Sequence, residues 1–361
     1  MINVVKKTDC VGCWACYSRC PKKCITMVSD EEGFLYPKVD EKQCVNCHLC
    51  EEVCPVLHLP QLRKVRQTIA CINQDAVVRA ASSSGGTFSL LADYVLEQGG
   101  TVFGAAFDVD FTVHHIGVDT KKDLALLRGS KYVQSRIEDS FRKAKQLLLQ
   151  DKLVLFSGTP CQIAGFRRFV GKDYENLYLV DVVCHGIPSA KVYAEKLKEA
   201  EQIMGESIEH VAFRDKSTGW KTCSFVVQGK NKEVRESKSG SLYMKAFLQN
   251  MSVRPSCSVC HYNNQHSSAD VTIADYWGVE TKFPELNDEQ GVTVVLVNTL
   301  RGARLLKAAT NNRAKVLPTD FEHAAEHNFA MTKVSQQHAN REKFFKQLGT
   351  KPLNKLITEL L

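Results

Sequence analysis

The sequence has no long apolar run, and this absence excludes an integral membrane protein. No stretch of the 361 residues approaches the roughly 18 consecutive apolar residues that a membrane-spanning helix needs. The opening, MINVVKKTDC, has too short an apolar stretch for a signal peptide. Aromatic residues (8%) and charged residues (24%) occur at the levels of ordinary soluble proteins. We therefore expect a cytoplasmic protein with no membrane span, long enough for two or three domains.

Cysteine, by contrast, is abundant, with 15 residues in the chain. In a reducing compartment, clustered cysteines indicate metal or redox chemistry rather than disulfides. The segments CVGCWACYSRCP (10–21) and CVNCHLCEEVCP (44–55) both read C-x2-C-x2-C-x3-C-P. This is the spacing of two-cluster bacterial ferredoxins, in which the fourth cysteine of each run binds the other cluster. We call these segments the first run and the second run.

The ferredoxin rule assigns eight ligands to two [4Fe-4S] clusters. One cluster takes Cys10, Cys13, Cys16 and Cys54, and the other takes Cys44, Cys47, Cys50 and Cys20. Two zinc sites are the alternative, but two complete frames with both prolines disfavour it. Cys24 belongs to neither set of four ligands and is interpreted as a packed thiol. The spacing thus predicts a ferredoxin-type domain over 1–62 that transfers single electrons.

From residue 69 onwards, short apolar runs alternate with amphipathic helical stretches, which predicts an α/β domain. We divide this part of the chain into a domain over 69–250 and a C-terminal part over 251–361. The C-terminal part contains a further C-x2-C, some strands and terminal helices. The predicted strands include TVFGAAF, KLVLFSG, NLYLVDVVC, HVAFRD, CSFVVQG, DVTIADYW and VTVVLVN.

Four cysteines outside the ferredoxin-type domain form a second candidate metal site. Cys161 begins a helix after the strand–turn LVLFSGTP, and Cys184 ends the next strand. The carboxyl ends of parallel strands share one edge of a sheet. Cys257 and Cys260 supply the C-x2-C of RPSCSVCH. Two alternatives stay open from spacing alone: a nucleophilic Cys161 with His185 as its base, and unrelated buried thiols.

The charge balance depends on these metal sites. The chain carries 47 Lys and Arg against 40 Asp and Glu, a formal charge of +7 that counts every thiol as neutral. Three [4Fe-4S] sites with four thiolates each would contribute about −2 apiece and lower the total to about +1. We therefore expect no nucleic-acid partner.

Two loops are candidate anion sites. In SSSGGTFSLLADYVLEQGG (82–100), a Ser/Gly loop precedes a helix, and Gly85 and Gly86 leave backbone N–H groups accessible to a phosphate. In LRGSKYVQS (127–135), Lys131 could meet a phosphate or a reduced flavin. A plain turn and an exposed lysine are the alternative interpretations.

Taken together, these motifs resemble the coenzyme F420 hydrogenase/dehydrogenase beta-subunit family. The resemblance rests on SSSGGTFSLLADYVLEQGGTVFGAAFD, LRGSKYVQS, LFSGTPCQIAGF, VDVVCHGIPS, RPSCSVC and ADVTIADYWG, and it extends to about residue 300. It implies an α+β ferredoxin-like N-terminal domain followed by an α/β flavin- and cluster-binding domain.

The resemblance also implies cofactors and their ligands. It places a third [4Fe-4S] cluster on Cys161, Cys184, Cys257 and Cys260, next to a flavin, FAD rather than FMN. The flavin contacts that it implies are Ser84, Gly85, Gly86, Thr87, Ser130 and Lys131, with Asp275 and Trp277 lining the same site. Lys131 and His185 are the candidate catalytic residues, for stabilising reduced flavin and for donating a proton.

From these features we predict an iron–sulfur flavoprotein oxidoreductase. It would pass electrons between a one-electron carrier and a hydride acceptor or donor, either coenzyme F420 or an organic substrate. The alternative is an electron-relay subunit of a hydrogenase, dehydrogenase or reductase complex with no substrate of its own. The expected partner is a redox protein, ferredoxin or such a subunit, and assembly into homo-oligomers stays open.

Overall fold

The structure, a computed structural model, describes residues 1–262 and 267–361. Its strands are β1 Ile25–Ser29, β2 Leu35–Val39, β3 Gln67–Asn73, β4 Thr101–Phe107, β5 Val113–Val118, β6 Val154–Gly158, β7 Leu177–Val182, β8 His210–Asp215, β9 Ser224–Gln228, β10 Glu233–Ser237, β11 Val271–Asp275, β12 Thr293–Val297 and β13 Ala314–Thr319. Its α-helices are α1 Ala15–Arg19, α2 Leu49–Glu52, α3 Ala76–Ala80, α4 Thr87–Glu97, α5 Ser140–Leu149, α6 Pro160–Val170, α7 Ala190–Met204, α8 Leu242–Leu248, α9 Leu300–Thr310, α10 Phe321–Glu326, α11 Arg341–Gln347 and α12 Leu353–Leu360.

The N-terminal region is a short hairpin, β1–β2, between two small helices. The helices α1 and α2 follow residues in the left-handed region, Trp14 (φ 67°) and His48 (φ 60°). The C-x2-C loops before these helices also match, because the residue at the same position of each loop has a positive φ, 67° at Gly12 and 50° at Asn46. The repeat in the sequence is therefore also a repeat of the backbone.

An eight-stranded sheet in the order β13-β3-β12-β11-β7-β6-β4-β5 forms the centre of the molecule. The neighbours β4, β6 and β7 are parallel, and β11 is parallel to β7. The strands β5, β12 and β13 pair antiparallel with their neighbours, so the sheet is mixed. Because β11, β12 and β13 come from 251–361, this part of the chain contributes to the same sheet as 69–250.

Helices cover both faces of the sheet and bury its apolar side chains. On one face, α4 and α9 pack against β3, β11 and β12 through leucines and valines such as Leu91, Val95 and Leu305. On the other face, Phe141 of α5 and Phe166 of α6 belong to a group of aromatic side chains that also includes Phe156 of β6. Each such buried side chain contributes roughly 1.5–3 kcal/mol from the hydrophobic effect.

The ferredoxin-type region packs directly on this second face. Trp14 and Ala15 of the first run belong to the same apolar cluster as the α5 and α6 side chains. A Cβ on Gly165 of α6 would lie 2.8 Å from the sulfur of Cys13. Arg142 of α5 donates hydrogen bonds to the carbonyl oxygens of Tyr17 (2.7 Å) and Ser18 (2.9 Å). The first run is thus held against the central sheet by packing and by backbone hydrogen bonds.

A separate antiparallel sheet, β10-β9-β8, flanks the central one and packs with α7, α8 and α12. The predicted fold class is confirmed in two respects, the mixed α/β architecture and the ferredoxin-type N-terminal region. Over 1–262 and 267–361, no helix combines the length and the apolar character needed to cross a membrane.

Candidate functional site

The carboxyl ends of the parallel strands form one edge of the central sheet, where most of the predicted site residues lie. Gly158 at the end of β6 is opposite Asp181 of β7, and Ile273 of β11 is opposite Val182. This register brings the segments after β6, β7 and β11 to the same edge, as the rule for parallel strands requires.

Three thiols of the first run form a compact group with Cys54, in which Cys13 is buried and the others are half-buried. Cys13 lies near Cys10, Cys16 and Cys54, and burial first, then the neighbouring thiols, raises its pKa well above the ordinary value. The pKa of Cys16 is also raised, chiefly by burial. The third neighbour, Cys54, comes from the second run, as expected for a crossed pair of clusters.

The thiols of the second run lie closer to the solvent. Cys44, Cys47, Cys50 and Cys20 line one cavity, and Cys47 is exposed. The backbone N–H of Ile2 donates to the sulfur of Cys50 at 3.3 Å. Cys24 also lines this cavity, and its sulfur lies 3.4 Å from that of Cys20. Cys24 is therefore a buried thiol, as predicted, but one that adjoins a cluster site.

The structure brings the four other candidate ligands together around a second cavity, which Cys161, Cys184, Cys257 and Cys260 line. Cys161 lies in the first turn of α6, and Thr159 and Gln162 form a capping box there. Cys184 follows β7, and Cys257 lies in a 3-10 turn over Pro255–Val259. We call these four cysteines the sheet-edge thiols.

Backbone donors point at the sheet-edge thiols. The N–H of Ile187 donates to the sulfur of Cys257, and the N–H of Tyr262 donates to the sulfur of Cys260, both at 3.4 Å. Such bonds favour a sulfur that carries negative charge, as a metal-bound thiolate does.

The alternative of a nucleophilic Cys161 is disfavoured by the environment of its thiol. Burial raises the pKa of Cys161 to about 11, and Thr159 only partly opposes the shift. A helix N-terminus stabilises a thiolate, but here burial outweighs that effect. A thiol with this pKa is a poor nucleophile at neutral pH, whereas a metal ion would displace its proton.

The residues present fit an iron–sulfur cluster. All four sheet-edge thiols line one cavity, and four cysteine thiolates are the donor set of a [4Fe-4S] cluster. Zinc accepts four thiolates as well, at about 2.3 Å from one centre.

Two side chains join the sheet-edge thiols to the first run. The Tyr262 hydroxyl donates to the carbonyl oxygen of Pro55, next to Cys54, at 2.6 Å. Arg254 lines the sheet-edge cavity, and its Nε donates to the carbonyl oxygen of Cys10 at 2.8 Å. The two groups of thiols are thus separated by little more than one layer of side chains.

The Ser/Gly loop lies at the same edge of the sheet, beyond the end of β3. A Cβ on Gly85 would lie 2.5 Å from the carbonyl oxygen of Cys71 and 2.7 Å from the nitrogen of Thr293, so no larger residue fits. Gly86 adopts φ 82° as the N-cap of α4, and Thr87 is buried in the first turn. The Ser84 hydroxyl donates to the carbonyl oxygen of Val292 at 2.8 Å.

The loop around Lys131 contacts the Ser/Gly loop directly. The N–H of Ser130 donates to the hydroxyl oxygen of Ser83 at 2.7 Å. The ammonium of Lys131 donates to the carbonyl oxygens of Arg128 and Gly129 and lies 5.3 Å from the Phe107 ring centroid. Burial lowers the pKa of Lys131 to about 7.

Asp275 and Trp277 lie beside the same loop, within a group of cations. Asp275 pairs with Arg214 and accepts a hydrogen bond from the Trp220 indole at 2.8 Å. Trp277 stacks on Trp220 with ring centroids 4.5 Å apart. Arg214 and Lys238 lie over the Trp277 ring at 5.3 Å and 4.2 Å from its centroid.

This group carries more positive than negative charge, and one of its donors has no partner. The Nη2 of Arg214 is buried and makes no hydrogen bond to the described residues. Lys216 connects the group to the Ser/Gly loop, because its ammonium donates to the carbonyl oxygens of Ser84 and Gln290. Burial, with help from Arg79 and Arg214, lowers the pKa of Lys216 to about 8. The arrangement is suited to an anion such as a phosphate.

His185 lies at the sheet-edge cavity rather than beside Lys131. Its ring makes edge contacts with Phe247 and Phe329, and its Nε2 is buried without a partner among the described residues. Burial lowers its pKa. Phe247 also packs on Tyr132, which follows Lys131, so one aromatic ring separates the two regions.

Several residues of these sites were not predicted from the sequence. Arg254, Tyr262, Arg214, Lys216, Lys238 and Ser83 are the additions that the structure makes. Arg214 and Lys216 occur in FRDKSTGW, which has no distinctive spacing. Arg254 precedes Pro255 next to the C-x2-C, a position that offers a weak signal at most.

Comparison with known families agrees with this arrangement. Residues 151–320 match the model for the C terminus of the coenzyme F420 hydrogenase/dehydrogenase beta subunit. Residues 9–57 match the model for a 4Fe-4S dicluster domain. The first match contains all four sheet-edge thiols, and the second contains both cysteine runs.

Two curated relatives cover parts of the chain. A coenzyme F420-dependent sulfite reductase of Methanocaldococcus jannaschii is 27% identical over 206 residues, which is 56% of this chain and 31% of the reductase. An uncharacterised ferredoxin of the same organism is 38% identical over 52 residues, which is 14% of this chain and 66% of the ferredoxin. The chain thus spans less than two thirds of either relative.

A solved structure shares the fold over most of the chain. It is a chain of the F420-reducing [NiFe] hydrogenase complex from Methanosarcina barkeri, studied as a xenon derivative. The TM-score is 0.50 at 18% identity, with 83% of this chain and 90% of that chain covered. With its 4Fe-4S dicluster domain, the chain is an iron–sulfur protein, and its residues 151–320 match the C terminus of the coenzyme F420 hydrogenase/dehydrogenase beta subunit.

Proposed function

We propose that the protein is an iron–sulfur flavoprotein oxidoreductase with three [4Fe-4S] clusters and one FAD. It exchanges single electrons with a carrier such as ferredoxin, and hydride equivalents with coenzyme F420 or an organic substrate. One observation carries this proposal: Tyr262 joins the sheet-edge thiols to the first run, and Phe247 packs between His185 at the sheet-edge cavity and Tyr132 of the Lys131 turn. A continuous series of redox sites is consistent with that order.

The proposed cluster ligands are the eight ferredoxin cysteines and the four sheet-edge thiols. The eight are Cys10, Cys13, Cys16 and Cys54 for one cluster and Cys20, Cys44, Cys47 and Cys50 for the other. Each bound cluster would supply a one-electron carrier. The chain positions its own ligands by the repeated left-handed turns of the two runs and by the capped start of α6.

The proposed flavin site lies at the Ser/Gly loop. Ser84, Gly85, Gly86, Thr87 and Ser130 would contact the cofactor, with Asp275 and Trp277 lining the pocket. The buried, unpartnered Nη2 of Arg214 supports a phosphate in this place. A bound flavin supplies the conversion between one-electron and two-electron chemistry.

The residues with proposed chemical roles are Lys131 and His185. The Lys131 ammonium, held by two carbonyl oxygens, would offer positive charge to the flavin. The buried Nε2 of His185, free of partners in the described part of the chain, would hold a proton at the cavity. Aromatic rings around both groups restrict water.

Anaerobic purification followed by iron, sulfide and flavin analysis tests the proposal. We expect about twelve irons, about twelve sulfides and about one FAD per chain from three cubane sites and one flavin site. About eight irons would mean that the sheet-edge thiols bind no cluster. A full iron complement without flavin would leave the dicluster assignment intact but contradict the flavin site.

An electron-relay subunit is the second candidate, and the surface of the second run favours it. Cys47 is exposed, and the nearby Val45 and Leu57 are exposed apolar side chains. A redox partner protein could approach this cluster closely. Turnover of coenzyme F420 or another small oxidant by the isolated chain would support the enzyme. A stable complex with a hydrogenase, dehydrogenase or reductase subunit, and no turnover alone, would support the relay.

A further inference from the structure

Arg254 occupies a position between two groups of proposed cluster ligands, and its side chain is completely buried. Its Nε donates to the carbonyl oxygen of Cys10 at 2.8 Å, and its Nη2 donates to that of Leu35 at 2.9 Å. Its Nη1 donates to Oε1 of Gln134 at 3.2 Å. On the other side, the residue lines the cavity of the sheet-edge thiols.

The guanidinium of Arg254 forms no ion pair with the carboxylates of residues 1–262 and 267–361. Other poorly exposed arginines in the chain do have acidic partners: Arg79 pairs with Asp288, Arg214 with Asp275 and Arg341 with Glu32. A buried charge without a counter-charge is strongly unfavourable. The Tyr36 ring, 4.3 Å from the guanidinium carbon, compensates only in part through a cation–π interaction.

The nearest negative charges would be those of the metal-bound thiolates. Arg254 lines the same cavity as the four sheet-edge thiols, and its carbonyl oxygen accepts a hydrogen bond from the N–H of Cys257 at 3.0 Å. Its hydrogen bond to the Cys10 carbonyl places it beside the first run as well. A four-thiolate [4Fe-4S] site carries about −2, so two such sites would surround one buried cation.

We propose that Arg254 is the counter-charge shared by two clusters and that it raises the reduction potentials of both. These are the first-run cluster, held by Cys10, Cys13, Cys16 and Cys54, and the sheet-edge cluster, held by the sheet-edge thiols. The inference rests on the proposed function, because it requires a cluster on the sheet-edge thiols. Reduction adds one electron to a cluster and makes it more negative by one unit, with no bond made or broken. A nearby cation stabilises the reduced form more than the oxidised form. Arg254 is therefore a positioning and tuning residue rather than a catalytic one.

The backbone of the first run is adapted to this arginine. A Cβ on Gly12 would lie 2.9 Å from Nη1 of Arg254 and closer still to Nε2 of Gln134. The corresponding residue of the second run is Asn46, which also has a positive φ. Glycine is thus needed in the first run for this close approach, since Asn46 adopts a similar backbone angle in the second run.

The test is a potentiometric titration of the whole, cluster-loaded chain, followed by electron paramagnetic resonance. In Arg254→Gln, we expect reduction of both clusters to become about tenfold less favourable, a shift of about 59 mV to more negative values for a one-electron couple. The second-run cluster, further away, should shift much less. Arg142→Gln is the matched control: Arg142 also donates to first-run carbonyls, but it pairs with Asp139 and does not line the cavity, so the potential of the sheet-edge cluster should not shift.

A second variant keeps the test valid if Arg254→Gln loses its clusters. Gln134→Glu places a carboxylate on Nη1 of Arg254, so it neutralises the cation while keeping every hydrogen bond of the guanidinium. We expect the same negative shift of the same two clusters. Twelve irons per chain with unchanged potentials in Gln134→Glu would overturn the inference and leave the proposed function standing. Eight irons in the unmodified chain would overturn both.

Discussion

The two groups of proposed cluster ligands in this protein are assembled in opposite ways. In the ferredoxin-type region, local sequence spacing brings most of the thiols together, since three of the four in each predicted set come from seven consecutive residues. The sheet-edge thiols span 161–260, and the sheet brings them together. The first kind of site depends on local turns, and the second depends on strand order and register.

The comparison extends to the two halves of the ferredoxin-type region. Both runs share the same left-handed turns, yet Cys13 is buried against Gly165 while Cys47 is exposed. The run that faces the sheet has a glycine where it meets Arg254 and Gln134, and the run that faces solvent has Asn46 at the corresponding position. A repeated sequence has thus been specialised by its contacts, one half facing inwards and the other facing outwards.

The largest expected effect comes from removing one sheet-edge ligand. Cys161→Ser should reduce the iron content from about twelve to about eight per chain, because a cubane with a serine ligand is held poorly. The ferredoxin-type clusters should stay loaded, since their ligands are local. Iron analysis with electron paramagnetic resonance distinguishes the two groups.

Cys71→Ser is the matched control for that variant. Cys71 is fully buried in β3 and lines neither of the two cysteine-lined cavities. Its substitution should leave about twelve irons in place, the full complement of three cubane sites. Equal iron loss in both variants would mean that Cys161 acts through packing, and the contrast between the two kinds of site would disappear.

The same contrast explains which parts of the fold and of the candidate sites could be predicted from the sequence. Both runs and their turns are predictable, because all the determinants lie within two segments of twelve residues. The strands before Cys161 and Cys184 are predictable from their apolar character, and parallel pairing then places both cysteines at one edge. The strand β3, and the assignment of β8–β10 to a sheet of their own, needed the structure, because pairing across the chain determines them.

The site residues that could not be predicted from the sequence are mainly cations, and their roles depend on contacts between distant parts of the chain. Arg254 meets Cys10 across 244 positions of sequence, and Arg214 meets Asp275 across 61. Neither has a fixed spacing from its partner. The predicted Ser/Gly loop and the Lys131 turn do meet, but through Ser83, which has the same local pattern as its neighbouring serines.

An intermediate effect is expected at the cation group beside the Ser/Gly loop. Arg214→Gln should weaken FAD binding about tenfold or more, because a charged hydrogen bond contributes roughly 1.5–3 kcal/mol. Fluorescence titration of cofactor-depleted protein measures the change. Iron content should stay at the level of the unmodified chain, since Arg214 does not line the sheet-edge cavity.

Arg235→Gln is the control on the same small sheet. Arg235 pairs with Asp215 and Glu233 at the surface, and its contribution should be small. Comparable loss of FAD affinity in both variants would assign the effect to the stability of the β8–β10 sheet. Thermal unfolding of both variants checks that stability independently.

The smallest expected effect concerns the protonation of Lys131. Burial lowers its pKa to about 7, so in the free chain it is charged below that pH and neutral above it. If its ammonium faces an anionic part of FAD, the affinity for FAD should fall severalfold as the pH rises from about 6 to 8. Because an arginine stays charged over this range, Lys131→Arg should bind FAD with little dependence on pH. The same pH profile in both proteins would show that Lys131 does not face the cofactor, and Lys216, with a pKa lowered to about 8, would then be the group to substitute next.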